Sequence, residues 1–318
     1  MGAHREWEDF AEQAVREIRQ HYLRERIQVS REDSTSAPHN LSYVSPTSGI
    51  SAQWFRGLAP KQQMVVRGAA AARESRKAVL VGPWAAVQWG MWLVRPEDSA
   101  VVFALPSGYQ PSKSMLPPGV RFKSMKLREE DIVELDGVRV THPLRTYLDL
   151  CRMQQRTNAW LAVGWLLNRG FSAAEIASYA ESFDGPIHLN RKRSAISLPY
   201  RVKELGLDSY PYLLAYSLLL DSPVSVRTNC DLDEMGHAVL LVGNDLVIAV
   251  DEDPLWRSLD SDPRSQTLAR NLRKRERWTA ARGFRKLYFT SEEIEADPDA
   301  YVSEILGARR LRRRDLSF

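Results

Sequence analysis

The sequence contains few cysteines and no long hydrophobic run. Among 318 residues there are two cysteines, Cys151 and Cys230, and no C-x-x-C pair, which excludes a disulfide-stabilised scaffold and a cysteine zinc site. The longest apolar runs, 160–167 and 213–220, are eight residues long, whereas a membrane-spanning helix needs about twenty. The first residues are charged and lack the apolar core of a signal peptide. We therefore expect a cytoplasmic protein without a membrane segment.

The common nucleotide-binding and hydrolase motifs are also absent. The chain has no G-x-x-x-x-G-K-S/T loop, no G-x-G-x-x-G, no H-E-x-x-H and no G-x-S-x-G. Cys151 falls within a predicted amphipathic helix, which favours core packing over a nucleophilic role. No cofactor is expected from these patterns, and a small-molecule ligand is not expected either.

Positive charge is present in modest excess but is concentrated near the end of the chain. Lys and Arg number 44 against 40 Asp and Glu, giving a net charge of +4. Residues 264–286 nevertheless hold nine basic side chains and one acid, and 309–314 hold five arginines in six positions. Such clusters are typical of phosphate contacts, because neutralising each phosphate releases condensed counterions. The residues that we expect to bind nucleic acid, preferably DNA, are Arg270, Arg273, Lys274, Arg277, Arg312 and Arg313.

The hydrophobic periodicity predicts an α/β protein whose N-terminal and middle regions are mostly helical with a small sheet. Residues 1–49 are expected to form one helix, over 5–27, and a polar linker. An α+β region over 50–190 follows, helical from 50 to about 91. In 191–318, a helix, three strands, a helix, a strand and a final helix indicate a small mixed sheet. The predicted elements of this last part are 211–220, 224–227, 237–242, 246–250, 261–282, 284–289 and 290–306.

Several helix starts are marked by capping residues. Thr141 is predicted to cap a helix that continues to about Leu167, with Pro143 in its first turn. Arg145 and Asp149, four residues apart, are expected to organise the start of this helix. Further caps are predicted at Ser172, with Glu175 three residues on, and at Thr290. The tryptophans at 84, 89 and 92 are expected in the core, since no basic residue interleaves them.

Three stretches of the sequence resemble a family of actinobacterial proteins. In that family a helical region related to AbiEi-family antitoxins of type IV toxin–antitoxin systems precedes a domain similar to very-short-patch-repair endonucleases, of the PD-(D/E)XK fold. Residues 137–150 follow the pattern G-x-x-V-T-x-P-x-R-T-x-x-D-L. Residues 78–91 resemble a small-residue helix of the family, and 273–290 its closing helix and strand. The resemblance spans about residues 50–306 and implies an antitoxin-like middle region and an endonuclease-like end.

The resemblance also implies where metal-binding carboxylates would stand. Aligning 246–252 with the motif V-V-V-E-x-D-G places Ala249 at the glutamate and Asp251 at the following aspartate. The earlier aspartate of the pattern falls near His237 or Ala238, and the helix glutamate near Tyr212. Since carboxylates hold the Mg²⁺ that activates water, the implied nuclease site retains only Asp251. A family member of this kind is expected to bind nucleic acid without cutting it.

Two alternatives remain open from the sequence. The chain could be an active Mg²⁺-dependent DNA endonuclease with a non-standard site, using Asp251 and Asp253 as metal ligands and Asp233 and His237 as further catalytic groups. Asp231 is another candidate for the third acid. It could instead be a protein-binding module whose basic helix meets an acidic partner such as a cognate toxin. Nuclease assays and the salt dependence of binding distinguish these functions.

Overall fold

The computed structural model shows a mixed α/β protein with 52% helix, 21% strand and three small sheets. It divides into two compact units, Met1–Pro199 and Tyr200–Phe318. In the described part of the chain, no helix is long and apolar enough to cross a membrane. The structure describes residues 12–28, 41–75, 77–94, 100–112, 114, 116–153, 155–231, 237–250 and 283–315. Within these ranges, the side chains of 231, 237, 238 and 310–315 are not described.

The first unit begins with a helix and a three-stranded antiparallel sheet. The strands lie in the order β1–β3–β2, and Ser51 caps the short helix that follows them. The hairpin was not predicted, and Ile50 lies in a strand and not in a helix, because a short apolar run fits either structure by periodicity. The predicted linker lies mostly outside the described residues. The elements are α1 (Gln13–Glu25), β1 (Ile27–Gln28), β2 (Leu41–Ser45), β3 (Ser48–Ser51), α2 (Ala52–Gly57) and α3 (Pro60–Glu74).

A five-stranded sheet forms the centre of the same unit. Its strand order is β6–β5–β4–β8–β7; the pairs β4–β8 and β5–β6 are parallel, and β4–β5 and β7–β8 are antiparallel. The predicted helix from 50 to about 91, broken at Gly82-Pro83, is wrong at β4, a two-residue buried strand. Trp84 and Trp89 are buried as expected, whereas Trp92 is only half-buried. The elements are β4 (Val79–Leu80), α4 (Pro83–Trp89), β5 (Val101–Ala104), β6 (Val120–Phe122), β7 (Ile132–Leu135) and β8 (Val138–Thr141).

A tight turn joins β7 to β8. Asp136 and Gly137 have φ angles of 48° and 79°, the two positive values that a type I′ hairpin turn requires. The Asp-Gly pair is the sequence signal for such a turn, and it was missed. The Asp136 carboxylate accepts from Arg19 Nε at 2.8 Å and pairs with Arg19 Nη2 at 2.7 Å. Arg19 is buried, so it fixes the turn against α1.

Replacing Gly137 with alanine should destabilise the first unit by about 1–2 kcal/mol, because a Cβ disfavours the left-handed backbone. Urea unfolding followed by tryptophan fluorescence measures this, since seven of the nine tryptophans precede residue 200. Gly57→Ala is the matched control: a Cβ there has nothing within 4 Å. It should leave the stability unchanged or slightly increased. Equal effects of the two substitutions would contradict the turn assignment.

Four helices follow the central sheet, and the last of them extends past Pro199. His142, not Thr141, is the N-cap of α5, since its side chain accepts from the Arg145 backbone N–H. The predicted helix from 141 to 167 is in fact two helices separated around Met153. The predicted capping box of Ser172 and Glu175 is confirmed. The elements are α5 (Pro143–Arg152), α6 (Arg156–Asn168), α7 (Ala173–Ser182) and α8 (Leu189–Leu205).

The second unit contains a four-stranded mixed sheet in the order β12–β11–β10–β9. Strands β9, β10 and β11 are antiparallel, whereas β11 and β12 are parallel. The predicted cap at Thr290 is confirmed, but the final helix is broken before Pro298, which disfavours helical backbone at Asp297. The predicted helix 261–282 lies outside the described residues. The elements are α9 (Tyr210–Leu219), β9 (Val226–Asp231), β10 (His237–Val242), β11 (Leu246–Val250), β12 (Arg285–Phe289), α10 (Ser291–Ala296) and α11 (Pro298–Asp315).

Candidate functional site

Most residues predicted to carry function lie outside the part of the chain that the structure describes. His237 begins β10, and Arg312 and Arg313 belong to α11. Only the backbone of these three residues is described. Their contacts therefore stay predictions. The residues outside the described ranges are Asp233, Asp251, Asp253, Arg270, Arg273, Lys274 and Arg277.

Strand β11 carries the position that the resemblance assigns to a metal-binding glutamate. All five residues of β11 are buried, and Ala249 is 1% exposed. Ala249 pairs with Tyr288 of β12, so it stands in the interior of the sheet. Since β11 is wholly aliphatic, no carboxylate projects from it. Across the described ranges, no group of three His, Cys, Asp or Glu side chains is placed to hold a metal ion.

Residues 191–193 are three consecutive cations, Arg-Lys-Arg, and two of them have contacts within the first unit. Arg191 Nη1 donates to the Arg152 carbonyl at 2.9 Å, and Lys192 Nζ donates to the Phe183 carbonyl at 2.8 Å. These bonds attach the start of α8 to the ends of α5 and α7. Arg193 is exposed. The cluster therefore contributes to the structure as well as to the surface charge.

A buried ion network surrounds Arg145 at the start of α5. Arg145 is 1% exposed; its Nη1 lies 2.6 Å from Asp131 Oδ2 and its Nε 2.9 Å from Asp149 Oδ1. A third N–H donates to the Lys126 carbonyl at 3.3 Å. Asp131 also accepts from Tyr179 at 2.8 Å. Arg145 thus connects α5 to the segment before β7, which extends the structural role expected from its spacing to Asp149.

The two carboxylates of this network have opposite protonation tendencies. Burial raises the pKa of Asp131, but the Arg128 backbone N–H and the Arg145 guanidinium outweigh it, so that pKa is lowered overall. Burial raises the pKa of Asp149 above its usual value despite Arg145 and Arg152. Asp149 Oδ2 has no hydrogen-bond partner within the described residues. Asp131 is therefore the carboxylate that the network holds charged most firmly.

His142 belongs to the same network and was not identified from the sequence as a candidate. Its Nδ1 accepts from the Arg145 backbone N–H at 3.2 Å, and its ring packs edge-on against Tyr179 at 5.1 Å. Burial lowers the pKa of His142 to about 4, although Asp131 acts in the opposite direction. The imidazole is therefore neutral at neutral pH. The N-cap role is consistent with the neutral ring, because a ring nitrogen must be unprotonated to accept the bond from Arg145.

Cys151 does not have the properties of a nucleophile. Burial of its thiol raises its pKa to about 12, and the Tyr147 side chain contacts it in the same helix. A thiolate is needed for nucleophilic attack. The thiol contributes to packing, as predicted.

The second candidate site in the first unit is a cleft of about 550 Å³. It lies between the end of α1, the β2–β3 hairpin, the end of α3 and the β7–β8 hairpin. Arginines from three of these elements line it: Arg26, Arg73 and Arg139. Two glutamates, Glu74 and Glu134, line it as well. We call this the arginine cleft.

The wall of the arginine cleft depends on the turn between β7 and β8. Gly137, in the turn that Arg19 fixes against α1, lines the cleft, and a Cβ there would lie 3.4 Å from Arg73 Nη1. The sequence did not predict this site, because its cations lie far apart in the chain and form no run. No motif marks them.

Comparison with known proteins does not assign a family. No protein-family profile, curated protein or solved structure matches this chain.

Proposed function

We propose that this chain is a non-catalytic nucleic-acid-binding protein of the regulatory or antitoxin-like kind, whose second unit is a degenerate endonuclease-like domain. The observation that carries the proposal is the four-stranded sheet with Ala249 buried in β11. The sheet supplies the mixed-strand framework that the resemblance implies. Its central strand lacks the carboxylate that cleavage would need.

The strand directions support the proposal that the second unit is an endonuclease-like domain. Antiparallel β9, β10 and β11 follow α9, and β12 returns parallel to β11. A parallel pair needs a crossover connection of about a dozen residues or more, and 251–284 provide that length. This order of a helix, three strands, a crossover and a fourth strand is the mixed sheet expected for a PD-(D/E)XK-like domain.

The buried strand supports the proposal that this domain is non-catalytic. A metal-dependent nuclease needs carboxylates on adjacent strands, because Mg²⁺ is held by oxygen ligands. Ala249 offers no oxygen from its side chain, and Tyr212 of α9 stands where the pattern places the helix glutamate. Of the implied ligands only Asp251 remains. Nucleic-acid binding without cleavage is the function that fits a site in which only one implied metal ligand remains.

Phosphate contacts would come from the basic residues of 264–286 and 309–314. Arg270, Lys274 and Arg277 follow the i, i+4, i+7 spacing of one helix face. The cations at the start of β12 have intramolecular contacts: Arg285 pairs with Asp245 at 3.3 Å, and Lys286 lies over the Tyr288 ring at 4.7 Å. We therefore assign the phosphate contacts to Arg270, Arg273, Lys274 and Arg277, with Arg312 and Arg313 from the terminal helix.

The proposal predicts salt-sensitive binding that depends on Lys274 and Arg277. Fluorescence anisotropy with labelled duplexes of unrelated sequence should show affinity falling steeply with salt. Lys274→Glu combined with Arg277→Glu should weaken binding to every duplex and reduce the slope of log K against log salt by about 2, one for each phosphate that is no longer neutralised. The control, Arg24→Glu with Lys77→Glu, makes the same change of net charge at two exposed positions of the first unit and should bind like the wild type.

Two outcomes would replace the proposal. Cleavage of plasmid or oligonucleotide in Mg²⁺ or Mn²⁺, lost in Asp251→Ala, would make the chain an endonuclease. Affinity that is absent at low salt, or unchanged by salt, would favour a protein partner such as a cognate toxin.

A further inference from the structure

We infer that the arginine cleft binds the phosphate monoester of a nucleotide. The inference is independent of the proposed function, since the cleft lies in the first unit and the proposed phosphate-binding residues in the second. It also differs from the sequence-based expectation that no small molecule binds, which rested on missing motifs.

Two arginines of the cleft, Arg26 and Arg73, carry N–H donors that no described residue accepts. Arg73 is exposed and forms no hydrogen bond or ion pair with a described residue. Arg26 uses one N–H on the Leu23 carbonyl at 2.8 Å, and its other N–H groups have no acceptor within the described part of the chain. Both arginines line the same cleft as the Tyr22 hydroxyl, and their charges, like that of Glu74, act on it. Guanidinium groups that converge with free N–H donors are suited to bidentate phosphate binding.

Two buried hydroxyl groups also line the cleft. Tyr22 is 1% exposed and Ser48 7%, and their hydroxyl oxygens lie 2.9 Å apart. Two hydroxyls that share one hydrogen bond leave one O–H proton to donate elsewhere. Burial raises the pKa of Tyr22, so its hydroxyl stays neutral and able to donate. Tyr22 and Ser48 therefore add a neutral donor to the lining of the cleft.

The two glutamates of the cleft reduce its positive charge without removing it, since three arginines and two glutamates leave one positive charge in excess. Glu74 Oε1 accepts from the Thr47 backbone N–H at 3.1 Å and from its hydroxyl at 2.9 Å. Glu134 is directly opposite Arg139 in the β7–β8 pair, where opposite charges attract. As an exposed carboxylate, Glu134 is also an acceptor for sugar hydroxyls. A phosphate attached to a sugar matches this set of donors and acceptors.

The size of the cleft favours a nucleotide over a lone anion. About 550 Å³ lies within the range of cavities that hold small organic ligands, about 300–1,000 Å³. A monoester carries close to two negative charges at neutral pH, more than a backbone diester, and so suits several guanidiniums better. The source of the phosphate is either a free nucleotide or the 5′ end of a nucleic acid.

Calorimetric titration of the full chain tests this inference. AMP should bind saturably, inorganic phosphate more weakly, and adenosine at least about tenfold more weakly than AMP, because adenosine lacks the charged acceptor. Arg73→Ala should lower the affinity for AMP about tenfold or more, and Arg26→Ala with Arg73→Ala should abolish it. Arg24→Ala is the control: this exposed arginine near the end of α1 lies outside the cleft, and the variant should bind AMP like the wild type.

A free nucleotide and the 5′ end of a nucleic acid are distinguished with the Lys274→Glu, Arg277→Glu variant. This variant is used because its second unit should contribute little to nucleic-acid binding. An oligonucleotide that binds only with its 5′ phosphate, and not with a 5′ hydroxyl, identifies a nucleic-acid end. Binding of AMP alone identifies a free nucleotide. No binding of AMP or phosphate up to about 10 mM, or equal losses in Arg73→Ala and Arg24→Ala, would overturn the inference. Far-ultraviolet circular dichroism of each variant shows that it is folded.

Discussion

Replacing Arg145 with alanine should destabilise the first unit by about 3–5 kcal/mol, the largest effect that we expect from a single substitution. The variant leaves Asp131 and Asp149, both 0% exposed, without their main counter-charge. It also leaves the Lys126 carbonyl without this donor. Urea unfolding monitored by tryptophan fluorescence measures the loss.

A second measurement separates the effect of removing the charge from that of removing the side-chain volume. Without Arg145 the pKa values of both carboxylates should rise, so the variant should bind protons more readily than the wild type when folded. The difference between the unfolding free energies of the variant and the wild type should therefore become smaller as the pH falls. The exposed Arg24→Ala should change the stability by less than about 0.5 kcal/mol. A loss below about 1 kcal/mol for Arg145→Ala, or a gap independent of pH, would contradict the role assigned to the network.

Stability should also fall between about pH 6.5 and pH 4 because of His142. Its pKa is lowered from 6.5 to about 4 in the folded chain, so the unfolded chain binds the proton first as the pH drops. The contribution of the neutral ring is complete above the unfolded pKa and is lost on acidification. At pH 5 the loss should be about 2 kcal/mol relative to pH 7.

The substitution His142→Asn isolates this contribution. Asparagine keeps an acceptor for the N-cap but does not titrate, so its helix should still begin at Pro143. The difference between the unfolding free energies of the wild type and His142→Asn is taken at each pH. Most of the pH dependence due to Asp131 and Asp149 cancels in this difference, because both proteins retain these residues. The variant should lose about 2 kcal/mol less than the wild type between pH 7 and pH 5. His188→Asn, at an exposed histidine, should keep the wild-type pH dependence; if His142→Asn keeps it too, the buried histidine is not its source.

Local signals in the sequence predicted much of the secondary structure. The capping boxes at Ser172 and Thr290 are present, and β10 and β11 have the predicted bounds. These features depend on neighbouring residues, so a single sequence contains them. The errors are at short apolar segments. Val79–Leu80 fits a helix by periodicity, but it lies in the middle of a sheet whose other strands are distant in sequence.

The buried ion network around Arg145 and the arginine cleft show the same difference between local signals and long-range contacts. The spacing of Arg145 and Asp149 indicated an ion pair within α5, but not the approach of Asp131 and Tyr179. For the arginine cleft, Arg26, Arg73 and Arg139 are separated by dozens of residues, and each is ordinary in its local context. Only the pairing of Arg19 with Asp136 and the packing of α1 and α3 beside the β7–β8 hairpin bring them to one cavity.

By itself, the sequence determined the composition of the molecule: two cysteines, no long apolar run and a basic C-terminal region. It also determined the helix caps at Ser172 and Thr290. The tertiary structure decided which charges are buried, which pKa values shift and where a cavity forms. The physical reason is that burial and convergence depend on contacts between residues far apart in the chain, whereas caps and periodicity depend on residues a few positions apart.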